Sequence, residues 1–237
     1  MHQYENYMAH LEALVFLVSC LCHDIDHRGT NNACQIKRST VLASLYSFEG
    51  SVIGRHHFAQ TMRILNKEGC NIFGNFNSEE YSEALDLLKN NILATDLACQ
   101  FRTVEKQEEM VRSKFDQNDS ERKRLFLNMN MTCCDLSDQT EQWKEQIYDE
   151  FFSQGSLEKS MSSSLIEMMA RERASVPDLQ IQFITNIVFP LFINLSTLFP
   201  MVKPLVDVLK ENRVLWKKYY KFMLKVIQVS EEILLSN

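Results

Sequence analysis

The sequence has 237 residues, 45% hydrophobic and 24% charged, which argues against disordered or collagen-like classes and suffices to bury a sizeable core. Six Gly and four Pro fall well below the average usage of about 12% for the pair, so turns are scarce, long helices are expected and an all-β sandwich is disfavoured. Twenty-five Lys and Arg against 31 Asp and Glu leave a net charge of −6 with no basic arm, so nucleic acid is not expected as a partner.

Met1 to His10 has neither a basic n-region nor a small-residue cleavage site, so no signal peptide is expected. Leu11 to Cys22 reads as an apolar helix that delivers His23 at its end, with Gly29, Asn31 and Asn32 marking the turn that follows. Ser39 is a candidate cap for a short helix through Tyr46. Ser51 to Leu65 forms another helix, with His56 and His57 in its middle and a loop around Gly69 after it. Ser78, followed by Glu79 and Glu80, predicts a helix running to about Phe101. Asp119 or Ser120 opens a helix whose apolar run ends at Cys134 and Asp135. Further helices are predicted over Gln139 to Gln154, Leu157 to Arg173 and Pro177 to Phe199, with Pro177 in a first turn, and an amphipathic one over Leu205 to Leu235.

Leu179 to Val202 is uncharged and long enough to span a bilayer, yet it carries Gln180, Gln182, Asn186, Asn194, Pro190 and Pro200. A buried core helix is the better reading, and no transmembrane segment is expected. Seven cysteines without a CxxC pair, most inside apolar patterns, predict reduced thiols and a cytoplasmic setting. No repeat, linker or low-complexity tract divides the chain, so the expectation is one compact all-α domain over residues 1–237.

The run His23-Asp24-Ile25-Asp26-His27 puts two imidazoles one helical turn apart and adjacent N and O donors at a helix end, which suits a divalent metal. An exposed helix end with ordinary salt bridges explains the run as well when it is taken alone. Asp24 could reach two ions through its two oxygens, a site that needs further carboxylates. Asp135 is the strongest candidate, because the apolar helix end Met131-Thr132-Cys133-Cys134 has little other reason to carry an acid inward. A simple cap of the turn at Ser137, Asp138 and Gln139 is the competing reading of Asp135.

The stretch His23 to Asn32 resembles the HDxDHxGxxN signature of class I cyclic-nucleotide phosphodiesterases. Gly50 to Gln60, Ile92 to Ala98, Met131 to Thr140, Glu150 to Gln154 and Pro177 to Phe183 resemble that family in the same order and spacing, so the resemblance covers nearly the whole chain. The details GSVxxRHHFAQ, GCNIF, ILATDLA, CDLSDQT and EFFSQGxLEK are most similar to its cGMP-stimulated, dual-specificity branch. The resemblance implies an all-α HD-type fold that hydrolyses cAMP, cGMP or both to 5′-nucleotides with two divalent metal ions, Zn with Mg or Mn. It implies His23, Asp24 and Asp135 as metal ligands, Asp24 bridging, with His27 and Thr95 holding metal-site waters. Gln180 is similar to the family's purine-reading glutamine, whose amide can both donate and accept. Phe183, three residues on, could stack on the base or serve only as core. Leu97 and Ile147 are implied as further substrate-binding residues, and a homodimer within a longer parent protein is an expected assembly.

Three departures qualify the resemblance. The family's HNxxH motif, with its general-acid histidine and a further metal ligand, does not occur before His23, and neither His2 nor His10 lies in that context. The expectation is therefore a domain lacking its first helices, with impaired turnover; a catalytically inactive domain that binds nucleotide or a protein partner is the alternative. Gly54 stands where the family has a glutamate two residues before the histidine pair. Between Trp143 and Ile147 the chain is shorter than its relatives by more than a helical turn, which would alter a pocket wall.

Overall fold

A computed structural model of the chain describes residues 7–46, 50–113, 115–116, 118–140, 152–154, 156 and 175–235, with side chains at 227 and 229–235 excepted. Every regular element among them is helical. The chain forms two compact units, Met1–Asp135 and Leu136–Asn237.

The first unit holds α1 (His10–Cys22), α2 (Asn32–Lys37), α3 (Val41–Leu45), α4 (Val52–Leu65), α5 (Ser78–Ala94), α6 (Leu97–Arg112) and α7 (Ser120–Asp135). Helix α5 is central and packs against α1, α4, α6 and α7. Val15 and Val18 of α1, Ala84, Leu88 and Ile92 of α5, Leu65 and Phe73 form a shared buried cluster. Each large side chain there contributes about 1.5–3 kcal/mol by leaving water. A buried polar tie also joins α1 to α5: Asn91 Nδ2 donates to Ser19 Oγ at 3.0 Å, and Ser19 donates to the Val15 carbonyl at 2.7 Å. The position of the end of α1 is therefore set by α5, which matters because His23 follows directly.

Several helix boundaries differ from the sequence reading, each for a local reason. The short helix after Ser39 is capped by Thr40, whose hydroxyl accepts from Ala43 N at 3.1 Å, while Ser39 sits at φ +46. Asn77, not Ser78, caps α5: its side chain accepts from Glu79 N and Glu80 N, and Glu80 reaches back to Asn77 N. That helix stops at Ala94 rather than near Phe101, because Asp96 caps a new helix by accepting from Ala98 N at 3.0 Å. The turn after His23 also contains α2, capped by Asn31. Ser51 caps α4, and α7 is capped by Asp119, one of the two residues expected to open that helix.

The second unit holds a 3-10 turn (Leu136–Thr140), α8 (Val176–Phe183), a π turn (Ile184–Val188), α9 (Phe189–Leu198), a 3-10 turn (Pro200–Val202) and α10 (Lys203–Leu235). The helix expected over Pro177 to Phe199 is continuous through that wide turn, where Phe189 N bonds the Ile184 carbonyl. Pro190 lies just beyond; it has no N–H and its ring would strike the carbonyl of Asn186, so the helix widens by one residue. Val176–Leu198 is long and apolar enough, by length and composition, to cross a membrane. Val188, Leu191, Phe192, Leu195, Val206, Leu209 and Trp216 are buried core of this unit. The helices expected between Gln139 and Arg173 lie largely outside the described residues; residues 152–154 and 156 are helical.

Candidate functional site

Helix α1 ends at Cys22, and the chain turns through His23 to Asp26 rather than continuing as helix. His23 and His27 are thus not one helical turn apart on a common face, which corrects the sequence geometry. Asp26 takes the left-handed conformation at φ +61, and Gly29 follows at φ +65. Asp tolerates that region better than most residues because its short side chain can bond locally. Here Asp26 receives Arg28 Nη2 at 2.6 Å and His56 Nε2 at 2.8 Å, and these partners hold its carboxyl below the usual range, His56 foremost.

The turn brings His23 against Asp135 across more than a hundred residues. His23 Nε2 lies 3.1 Å from Asp135 Oδ1, and its Nδ1 is 2.9 Å from the Cys20 carbonyl. That carbonyl can only accept, so Nδ1 carries a proton and the ring's orientation is fixed. The hydrogen bond to Asp135 pushes the His23 pKa up to about 9 against the opposing effect of burial. Asp135 therefore does not serve merely as a cap for the turn after it.

Asp24 faces another partner. Its Oδ1 is 3.3 Å from His57 Nε2, a bond that lowers the Asp24 pKa while the side chain stays 60% exposed. His57 Nδ1 lies 2.6 Å from the Ile25 carbonyl, and the His27 ring stacks on the His57 ring with centroids 5.9 Å apart. His27 itself is exposed, and its Nδ1 accepts from Gly29 N at 3.2 Å.

His56 and His57 are the residues whose part sequence reasoning missed. Both are buried on α4, and adjacent helical positions point about 100° apart, which lets one reach Asp26 and the other Asp24. Two consecutive buried imidazoles amid an apolar helix were the available signal, since buried ring nitrogens require partners. Asn32 adds a second brace: its Oδ1 accepts from Ile53 N at 2.8 Å and its Nδ2 donates to Asp96 at 3.2 Å.

Thr95 terminates α5 and donates to the Ile92 carbonyl at 2.9 Å, leaving its oxygen lone pairs available. Leu97 is half-buried in the first turn of α6. Gly54 lies in the first turn of α4, where a Cβ would come within 2.7 Å of Ser51 Oγ. In the second unit, Gln180 is buried and its Nε2 donates to Gln139 Oε1. Gln139 is itself held by Asn212, which donates to its carbonyl at 2.9 Å. Phe183 lies half-buried one turn beyond Gln180. Ile147 lies outside the described residues.

The donor set of the first unit suits a divalent cation. Two ligands at right angles on an ion with bonds of about 2.1 Å stand about 3 Å apart, close to the 3.1 Å between His23 Nε2 and Asp135 Oδ1. Among the described residues, no three or more His, Cys, Asp or Glu side chains are already gathered about one point. The candidate ligands are instead engaged in pairs, His23 with Asp135 and Asp24 with His57.

Comparison with known proteins adds an independent observation. Residues 1–209 match the 3′5′-cyclic nucleotide phosphodiesterase family. Over 222 residues, 90% of this chain, the sequence is 42% identical to the cGMP-specific 3′,5′-cyclic phosphodiesterases of Drosophila virilis and Drosophila melanogaster. The match spans only 25% and 20% of those two proteins.

Proposed function

We propose that this chain, which belongs to the 3′5′-cyclic nucleotide phosphodiesterase family, contributes a catalytic region that hydrolyses cAMP, cGMP or both to the 5′-nucleotide. The observation that carries this reading is the approach of His23 Nε2, in the HD run that opens the family-like motif, to Asp135 Oδ1 at the end of α7.

His23, Asp24 and Asp135 would hold the metal ions, two in number, Zn with Mg or Mn. When bound, such ions supply positive charge to phosphoryl oxygens and make water a better nucleophile at neutral pH. The protein's own groups do the positioning. The Cys20 carbonyl orients the His23 ring, His57 orients Asp24, and His56 pins the turn between them. His27 and Thr95 would hold waters, Thr95 through the oxygen lone pairs that its bond to Ile92 leaves open. Water adds to phosphorus and gives up a proton, the P–O3′ bond opens, and O3′ takes up a proton to become the 3′-hydroxyl of a 5′-nucleotide.

Gln180 would read the purine and Phe183 would stack on it, with Leu97 and Ile147 as further substrate contacts. Gln139 supports this assignment by fixing the orientation of the Gln180 amide, since a held amide presents one donor and acceptor pattern to a base. A cytoplasmic setting accords with seven free thiols. The amides Gln180, Gln182, Asn186 and Asn194 support reading Val176–Leu198 as a packed helix rather than a membrane span. A homodimer within a longer parent protein belongs to the same proposal, as does a single domain over residues 1–237.

A second reading, a region that binds nucleotide or a partner protein without turnover, is favoured by Gly54. Its place in α4 leaves no room for a carboxylate side chain unless the Ser51 cap moves. Chromatographic assay of cAMP and cGMP conversion by the purified chain with Zn, Mg and Mn separates the two. The hydrolytic reading predicts 5′-nucleotide that disappears in Asp24→Asn and Asp135→Asn; nucleotide binding with no product would support the second.

A further inference from the structure

Helix α10 uses only part of its length for packing. Val206, Leu209 and Trp216 are buried in its unit, but from Lys217 to Val226 no side chain is buried. We propose that this part of α10 is a docking surface for an anionic lipid bilayer, lying in the plane of the headgroups rather than crossing them. It stands apart from the nucleotide-hydrolysing assignment, since the family match ends at residue 209.

Successive residues turn about 100° around a helix, which sorts this stretch into sectors. Leu215, Phe222 and Val226 fall within an arc of about 40°, and Met223 adjoins them on the side of buried Trp216. All four are exposed, Phe222 by 61%. Lys218 and Lys225 adjoin Phe222 on the other side, and Lys221 and Lys217 follow further round. An apolar stripe bordered by lysines is what an interfacial helix needs: apolar side chains enter the acyl boundary while ammonium groups stay among phosphate oxygens. Lys217 and Lys221 point further from the surface, yet a helix about 10 Å across keeps them near the Debye length of about 8 Å.

Charge selects the occupant. Between Glu211 and Glu231 the chain has Arg213 and these four lysines and no acid, in a protein of net charge −6. A second copy docked through the same stripe would set Lys218 and Lys225 against the same lysines, which disfavours self-pairing. A groove that encloses a helix from most sides would compete with the unit's own hold on Trp216, whereas a flat surface needs only the outer side. Anionic headgroups supply the opposite charge over a plane.

Sedimentation of the full chain with lipid vesicles at physiological salt tests the proposal. Binding is expected to vesicles of mixed phosphatidylserine and phosphatidylcholine, to weaken as salt is raised, and to be lost on phosphatidylcholine alone. Lys218→Gln with Lys225→Gln should weaken it by at least about tenfold, since each basic residue near an anionic surface contributes about fivefold, and Phe222→Ser should weaken it separately. These side chains are exposed, and circular dichroism checks that the variants are folded. Equal binding to both kinds of vesicle, binding unchanged in either folded variant, or no vesicle binding would overturn the proposal. Unchanged binding would place the attachment elsewhere, Val176–Leu198 being the other apolar candidate. Capture of the chain by calcium-loaded calmodulin with no vesicle binding would overturn it in favour of a helix-binding groove.

Discussion

Buried His56 on α4 holds Asp26 at 2.8 Å, and Asp26 is a non-glycine residue at φ +61. The imidazole thus stabilises a backbone conformation that the chain would otherwise leave, and that conformation separates Asp24 from Asp26 so that each meets its own histidine. His56→Ala is expected to destabilise the chain, because it removes the partner that holds the Asp26 carboxylate in the turn. Urea unfolding measures it, and a change within error would mean the turn holds itself.

A pH effect follows from His23. Its pKa is pushed up from 6.5 to about 9 in the folded chain, first by Asp135. A group raised on folding stabilises the fold fully below its unfolded pKa and loses that contribution as pH rises through the folded value. With metals removed by a chelator, the urea midpoint of the wild type is expected to fall between pH 6.5 and about 9. Asp135→Asn should flatten that fall. Parallel curves for the two proteins would remove Asp135 as the cause.

The HD turn illustrates what could be read from sequence. His23, Asp24, Asp26 and His27 were legible because they are contiguous, and Asp135 because an acid ended an apolar helix. The engagement of His57 with Asp24 and His56 with Asp26 was not, since it arises only when α4 packs beside the turn, some thirty residues away in sequence. The end of α5 is hard to place for a local reason: ILATDLA keeps an apolar helical rhythm through Thr95 and Asp96, and only the capping geometry of Asp96 reveals the break. Gln139 lies within the motif CDLSDQT, but its hold on Gln180 joins positions 41 residues apart. The π turn before Pro190 follows from proline's missing N–H, a feature that sequence pattern places only approximately.

Ser51 and Gly54 are predicted to be energetically coupled. Ser51 Oγ accepts from Gly54 N at 3.1 Å, and a Cβ at position 54 would come within 2.7 Å of that oxygen. Ser51→Ala should cost about 1 kcal/mol as a lost cap. Gly54→Ala should gain little alone, because the favourable helix propensity of about 1 kcal/mol is offset by the disturbed cap. In the Ser51→Ala background the same substitution should become stabilising. Thermal unfolding of the four proteins gives the cycle, and strict additivity would contradict the coupling.

Gln139 is expected to influence base selection. Gln139→Ala releases the Gln180 amide, so the ratio of kcat/KM for cAMP to that for cGMP should move toward unity, by about tenfold or less if one hydrogen bond is at stake. Both values come from the same product assay, and an unchanged ratio would show that Gln180 is oriented by other groups.

The central claim is that His23 and Asp135, brought within 3.1 Å of one another, are two ligands of one divalent-cation site. Equilibrium dialysis of Mn²⁺ against the wild-type chain and Asp135→Asn tests it most directly, with circular dichroism confirming that both are folded. The account predicts saturable binding by the wild type and at least about a tenfold loss of affinity in the variant, since even supporting residues of metal sites cost about 10–100-fold. Equal affinity in the two folded proteins would contradict it.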